Sequence, residues 1–121
     1  MKYGYYPGCS LEKNAVAYHQ SAMAVAEPFE IEFVEVPDWN CCGATEYFSV
    51  DALPAYALVS RNLAIAAKND NNDQLVAPCS ACFLNLKKTD HYMGESPKLS
   101  AQVNEALEAG GLSYKPGTLE V

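Results

Sequence analysis

Five cysteines fall at three points of the chain, and each point lies just past a short apolar or aromatic run that stops at a proline. Lys2 to Tyr6 stops at Pro7-Gly8, and Cys9 follows. Ile31-Glu32-Phe33-Val34-Glu35-Val36 stops at Pro37, ahead of a loop that carries Asp38-Trp39-Asn40-Cys41-Cys42-Gly43. Gln74-Leu75-Val76-Ala77 stops at Pro78, and Cys79-Ser80-Ala81-Cys82 follows. The first run reads as a strand ending in a turn, the second has the period of a half-buried strand, and the third reads as a short buried strand.

Between the runs the spacing turns helical. Ala15, Val16, Tyr18, Met23 and Val25 predict a helix from about Asn14 to just before Pro28. Asp51 is placed to cap a second helix over 52–68, with Leu53, Tyr56, Leu58, Leu63 and Ile65, which the polar run Asn69-Asp70-Asn71-Asn72-Asp73 ends. Ser80 is placed to cap a third through Phe83, Leu84 and Leu86. Lys98 to Ala109 reads as a last helix with Gly110-Gly111 as its stop. Strand and helix alternate, which predicts an α/β fold: a small parallel, Rossmann-like sheet in a three-layer domain. In such a sheet the carboxyl ends of the strands share one edge, where ligand sites collect. Thiols separated by 31 residues (Cys9 to Cys41) and 36 residues (Cys42 to Cys79) are thereby brought to one place. Helix N-termini at the same edge favour thiolates and an anionic group. Gly8 and Gly43 allow backbone to approach a bulky inorganic ligand.

At 121 residues the chain is one domain, and half of it is apolar, enough for a core. Eight Lys and Arg against fifteen Asp and Glu leave a net charge of −7, with the cations scattered, so no nucleic-acid partner is expected. No apolar run approaches the ~20 residues of a transmembrane segment, and the N-terminus has no secretory pattern. A cytoplasmic location and reduced thiols follow as the expectation. An odd number of cysteines would leave one outside any closed disulfide set.

Singly, each cysteine has a plainer reading. Cys9 fits a small buried hydrophobe. Cys79-Ser80-Ala81-Cys82 alone fits a dithiol redox pair or half a zinc site. Adjacent Cys41 and Cys42 fit a strained vicinal disulfide. Together, at equivalent strand ends, they favour metal. Zinc and a cubane [4Fe–4S] cluster each take four thiolates, so either one cysteine is a bystander or the set serves an unusual cluster with bridging thiolates. His19 and His91 read as hydrogen-bonded or solvated histidines, and Glu35, Asp38 and Asp90 as surface or turn carboxylates. GxSxG, HExxH and Walker patterns are absent from the sequence.

The combination of Tyr5-Tyr6-Pro7-Gly8-Cys9-Ser10-Leu11, Asp38-Trp39-Asn40-Cys41-Cys42-Gly43-Ala44-Thr45 and Ala77-Pro78-Cys79-Ser80-Ala81-Cys82 resembles the CCG cysteine-rich domain, named for its Cys-Cys-Gly triplet. Of the proteins that carry it, the flanking residues look most like the heterodisulfide reductase B subunit. Related subunits occur in lactate, glycolate and glycerol-3-phosphate oxidoreductases and in some succinate:quinone reductases. The resemblance implies that Cys9, Cys41, Cys42, Cys79 and Cys82 ligate a noncubane [4Fe–4S] cluster of two fused smaller units. It implies reductive cleavage of a disulfide of the CoM-S-S-CoB type by one-electron steps. It also implies two partners: a C-type iron–sulfur subunit with cubane clusters and a flavin-bearing A-type subunit. The B-type chain usually carries two CCG domains with substrate between them, whereas residues 1–121 hold one. This sequence is therefore expected to be the N-terminal half of a longer subunit, or a short form that assembles with a second chain. Some relatives place another cluster or zinc in one CCG domain. An electron-transfer or docking module, a structural zinc domain and a metal-free dithiol oxidoreductase using Cys79 and Cys82 stay open.

Overall fold

The computed structural model describes residues 1–43, 47–68 and 73–121. Three strands, β1 (Lys2–Tyr5), β2 (Glu32–Glu35) and β3 (Leu75–Val76), form a parallel sheet in the order β2-β1-β3. Tyr3 lies opposite Phe33 and Gly4 opposite Leu75. Two further bonds, Val36 N–H to the Tyr5 carbonyl and Tyr6 N–H to the Val76 carbonyl (both 2.9 Å), extend the ladder toward the carboxyl edge. The predicted α/β sheet is the one observed, and all three cysteine-bearing segments leave the same edge.

The helices are α1 (Gly8–Lys13), α2 (Val16–Ala26), α3 (Tyr47–Val50), α4 (Ala52–Ala67), α5 (Ser80–Glu95) and α6 (Pro97–Glu108). The helix expected from Asn14 is α2, which starts at Val16 because Ala15 lies outside the helical region at φ −124°, ψ 40°; α1, ahead of it, was not expected and carries Cys9. α2 ends at Ala26, before Pro28 as predicted, and Pro28 sits in a 3₁₀ turn, Glu27–Phe29, where its missing N–H has no intrahelical partner to lose. Asp51 occupies the N-cap position of α4, but its carboxylate makes no capping bond. The cap position of α5 is Cys79 rather than Ser80, which is already the first helical residue. Residues 69–72, the polar run read as the end of α4, lie outside the described residues, as do Ala44 and Thr45. α6 lies one residue ahead of the predicted 98–109 and stops as predicted, where Gly111 turns at φ +72° and the Leu112 N–H closes on the Leu107 carbonyl. Its start has a cap the spacing did not single out, Ser96 Oγ, which accepts the Leu99 N–H at 3.1 Å.

α4 buries Ala55, Val59, Leu63 and Ala66 on one stripe, and α5 buries Cys82, Leu86, Thr89 and Met93 on another. These pack with Val103 and Leu107 of α6 and with Tyr6, Val36 and Leu75 from the sheet edge into one core, of which Cys42 and Cys82 are themselves members. α1 and α2 form a separate group against β2. α1 and α2 belong to the crossover from β1 to β2, and α3 and α4 to the return past β1 to β3; with the right-handed sense usual for such crossovers the two groups cover opposite faces. α2 is less covered than its apolar spacing predicts: Tyr18 and Val25 are 53 % and 60 % exposed, and only Ala26 is buried. After α6, Tyr114 is buried with its hydroxyl on Asp90, and Glu120 pairs in parallel with Gln74, so the tail returns to the outer edge of β3. Asp90 is thus a structural carboxylate.

Candidate functional site

The central strand delivers its residues first. Tyr6 and Pro7 continue β1 into the core, and Gly8 turns sharply at φ +76°. A β-carbon at Gly8 would lie 2.7 Å from Cys82 Sγ, so only glycine lets the first loop rest on the sulfur of the third. Gly43 also has a positive φ, +72°, but its close approach is to the Tyr47 ring at 2.6 Å and not to a thiol. Of the two glycines expected to admit a ligand, Gly8 alone makes its close approach to a thiol.

Four sulfurs form two pairs. Cys9, exposed in α1, has its Sγ 3.9 Å from Cys41 Sγ, which also receives the Gly43 N–H at 3.4 Å. Cys42 and Cys82, 2 % and 3 % exposed, stand 3.4 Å apart. Cys79, half-buried at the cap of α5, interacts with Cys82. All three loops thus contribute, and the thiols gather around the buried Tyr6 ring. Burial pushes the Tyr6 phenol far above its ordinary range, with Cys42, Cys82, Cys41 and Cys9 adding to the rise. Burial also raises the Cys41 thiol; the Gly43 amide opposes this, and Cys9 adds to it. Cys82 is pushed up by its hydrogen bond with Cys42 and then by burial. Both effects favour the protonated form of Cys41 and Cys82.

The Cys41-Cys42 segment is positioned by polar side chains that the cysteine pattern did not reveal. Fully buried Asn62 of α4 accepts the Asn40 N–H and donates to the Asn40 carbonyl, both at 2.9 Å. The Tyr6 hydroxyl donates to the same carbonyl at 2.6 Å. Asn40 in turn donates through Nδ2 to the carbonyls of Cys41 and Leu58. Arg61 donates to Asn40 Oδ1 and to the Asp38 carbonyl, and forms an ion pair with the Asp38 carboxylate. On α5, Asn85 donates to the Cys42 carbonyl at 3.1 Å. Asn85 lies three residues past Cys82, on the same helical face, so its position was readable from the sequence. Asn62 and Tyr6 carried no comparable signal.

The remaining candidates stand apart. His19 Nδ1 shares a hydrogen bond with the Tyr5 hydroxyl at 2.8 Å, and His91 pairs with Glu95 at the surface. Among the described residues, no three His, Cys, Asp or Glu side chains converge to enclose a single metal ion. A zinc–sulfur bond of about 2.3 Å makes each edge of a tetrathiolate site about 3.8 Å. The Cys9–Cys41 and Cys42–Cys82 pairs each span roughly one such edge, but they do not share a centre.

Comparison with known proteins adds three findings. Residues 3–87, which contain all five cysteines, match the family described as the cysteine-rich domain, CCG. The chain is 33 % identical over 120 residues to the 8-methylmenaquinol:fumarate reductase membrane anchor subunit of Wolinella succinogenes. It is 28 % identical over 116 residues to a protein of Archaeoglobus profundus that is named as like the B subunit of heterodisulfide reductase. These alignments take in 99 % and 95 % of this chain but 40 % and 38 % of those proteins, so the chain spans well under half their length. In architecture it matches the crystal structure of a hypothetical protein from Helicobacter pylori with a TM-score of 0.84 at 18 % identity, over 99 % of this chain and 24 % of that one. That likeness concerns the fold.

Proposed function

The chain belongs to the CCG cysteine-rich domain family, and from that premise we propose that Cys9, Cys41, Cys42, Cys79 and Cys82 together hold an iron–sulfur cluster in one component of a redox complex. The observation that carries this reading is the meeting of thiols from three separate loops around Tyr6 and Gly8, as two sulfur pairs at 3.9 and 3.4 Å. Separate pairs suit a centre of several irons better than one tetrahedral ion. Five donors fit the noncubane [4Fe–4S] arrangement, whereas a cubane or a zinc ion would leave one thiol over.

The reaction we assign is that of a heterodisulfide reductase B-type subunit: a disulfide takes up two electrons and two protons and leaves as two thiols. The cluster, when bound, supplies those electrons singly. The chain's own part is to hold the site at the carboxyl edge of the sheet with Cys42 and Cys82 shielded from water. The exposed side of Cys9 and the half-buried Cys41 and Cys79 face substrate or partner. Electrons reach the domain from a C-type iron–sulfur subunit and ultimately a flavin-bearing A-type subunit, and a second CCG domain completes the substrate pocket. We assign the domain to the cytoplasm, where reduced thiols persist. No helix among the described residues is long and apolar enough to cross a membrane.

A second reading, an electron-transfer domain whose cluster never meets substrate, is favoured by the 33 % identity to a fumarate reductase component that is itself named a membrane anchor. Iron, sulfide and zinc analysis with electron paramagnetic resonance, on protein prepared without oxygen, tests the cluster. About four irons per chain with a signal unlike a cubane's is expected. Cys42→Ser should lower the iron content or change that signal. One zinc and no iron, or an unchanged Cys42→Ser spectrum and iron count, would overturn the five-thiol cluster. A signal that shifts on adding a disulfide or thiol selects the reductase over the electron-transfer domain.

A further inference from the structure

The thiols differ in which partner each meets and in whether solvent reaches it, and from this we infer a specific oxidation site: in the metal-free chain, peroxide converts Cys9 and Cys41 into a reversible disulfide while Cys42 and Cys82 stay reduced. The inference concerns the chain's own sulfurs and stands whether they later hold iron or zinc. Its geometry is the 3.9 Å between Cys9 and Cys41, with Cys9 exposed and Cys41 fixed by the Gly43 amide. A disulfide needs about 2.05 Å between sulfurs. Closing the remaining gap of about 1.9 Å falls to Cys9, the exposed partner, while Cys41 is held by the Gly43 amide. The Cys42–Cys82 pair is closer, at 3.4 Å, but both residues belong to the hydrophobic core, and peroxide does not reach them without local opening. Cys79 is half-buried, but the thiol beside it, Cys82, already faces Cys42. The local CxxC spacing favours a Cys79–Cys82 bridge, whereas the tertiary structure favours a bridge between the β1 and β2 loops.

The chemistry balances with hydrogen peroxide as the oxidant. Cys9 sulfur attacks one peroxide oxygen, the O–O bond breaks, and Cys9 becomes a sulfenic acid as one water leaves. Cys41 sulfur then displaces the hydroxyl from Cys9 sulfur, the S–S bond forms, and the second water leaves. Two thiols are oxidised by two electrons, and one peroxide is reduced to two waters. The bridge removes two ligands from the open side of the site and leaves the three others in place. Its consequence, a reversible block to cluster insertion, rests on the cluster reading.

The test is peptide mapping by mass spectrometry of the full chain, stripped of metal and reduced, then exposed to stoichiometric hydrogen peroxide and alkylated after denaturation. The expected first product joins Cys9 to Cys41, leaves Cys42, Cys79 and Cys82 alkylated, and returns to five free thiols with dithiothreitol. A first product joining Cys79 to Cys82 or Cys42 to Cys82, or Cys9 oxidised beyond the sulfenic acid with Cys41 still a thiol, would overturn the inference. Cys9→Ser, at an exposed position that leaves the core intact, should abolish any disulfide at Cys41 and slow the loss of thiols several-fold; unchanged loss would also refute it. Iron uptake by the mapped disulfide form is a separate readout: uptake equal to that of reduced protein refutes the block without touching the pairing.

Discussion

Removing the Asn62 side chain should loosen the Cys41-Cys42 loop from the rest of the fold, and the cost can be worked from its bonds. Asn62 is fully buried and makes two hydrogen bonds to the backbone of Asn40, one as acceptor and one as donor. Asn62→Ala removes both. The Asn40 carbonyl keeps the Tyr6 hydroxyl, but the Asn40 N–H loses its acceptor in a partly buried place. Two lost bonds at about 1 kcal/mol each, with part of an orphaned amide's penalty, amount to about 2–4 kcal/mol. For a domain of this size that corresponds to a fall in Tm of about 8–15 °C. The assay is urea unfolding under reducing, oxygen-free conditions, comparing midpoints at constant slope. Tyr6→Phe removes one bond to the same carbonyl and should cost about 1 kcal/mol. Because both side chains act on Asn40, the double variant should depart from additivity by more than about 0.5 kcal/mol. An Asn62→Ala loss below about 0.5 kcal/mol, or strict additivity with Tyr6→Phe, would refute the assignment of loop anchoring to Asn62.

Two glycines with positive φ separate backbone strain from steric contact. Gly111→Ala, at φ +72° with open space around the β-carbon, should cost about 1 kcal/mol in thermal unfolding and leave the thiols untouched. Gly8→Ala, at φ +76° and 2.7 Å from Cys82 Sγ, should cost more and also reduce metal retention; equal losses in the two variants would show that the Cys82 contact is immaterial. Asp90→Ala should release the tail, because Asp90 accepts both the Tyr114 hydroxyl at 2.6 Å and the Gly117 N–H at 3.0 Å. Faster amide exchange at Leu75, whose N–H bonds to the Glu120 carbonyl, is the expected readout, and unchanged exchange there would count against it.

Much of this molecule is written in local sequence pattern. Short runs ending at Pro7, Pro37 and Pro78, separated by helical spacing, were enough to predict a parallel sheet with every cysteine beyond a strand's carboxyl end. Strand period, proline stops and glycine helix stops act over a few residues, so a linear reading captures them, as it did the Gly110-Gly111 stop. It missed α1, a helix of six residues too short to show a period, and placed the α5 cap one residue late, at Ser80 rather than Cys79. Side-chain partnership across loops was beyond its reach. Asn62 meets Asn40 from 22 positions away, and nothing periodic marks that pair. Nor does spacing distinguish Gly8, which rests on a sulfur, from Gly43, which rests on an aromatic ring. The sequence by itself determined that all five cysteines lie beyond the carboxyl ends of three parallel strands and so share one edge. Only the tertiary structure decided that Cys42 and Cys82 are core residues while Cys9 and Cys41 form the exposed pair, because burial depends on which helices cover the sheet edge, a property of contacts between segments distant in the chain.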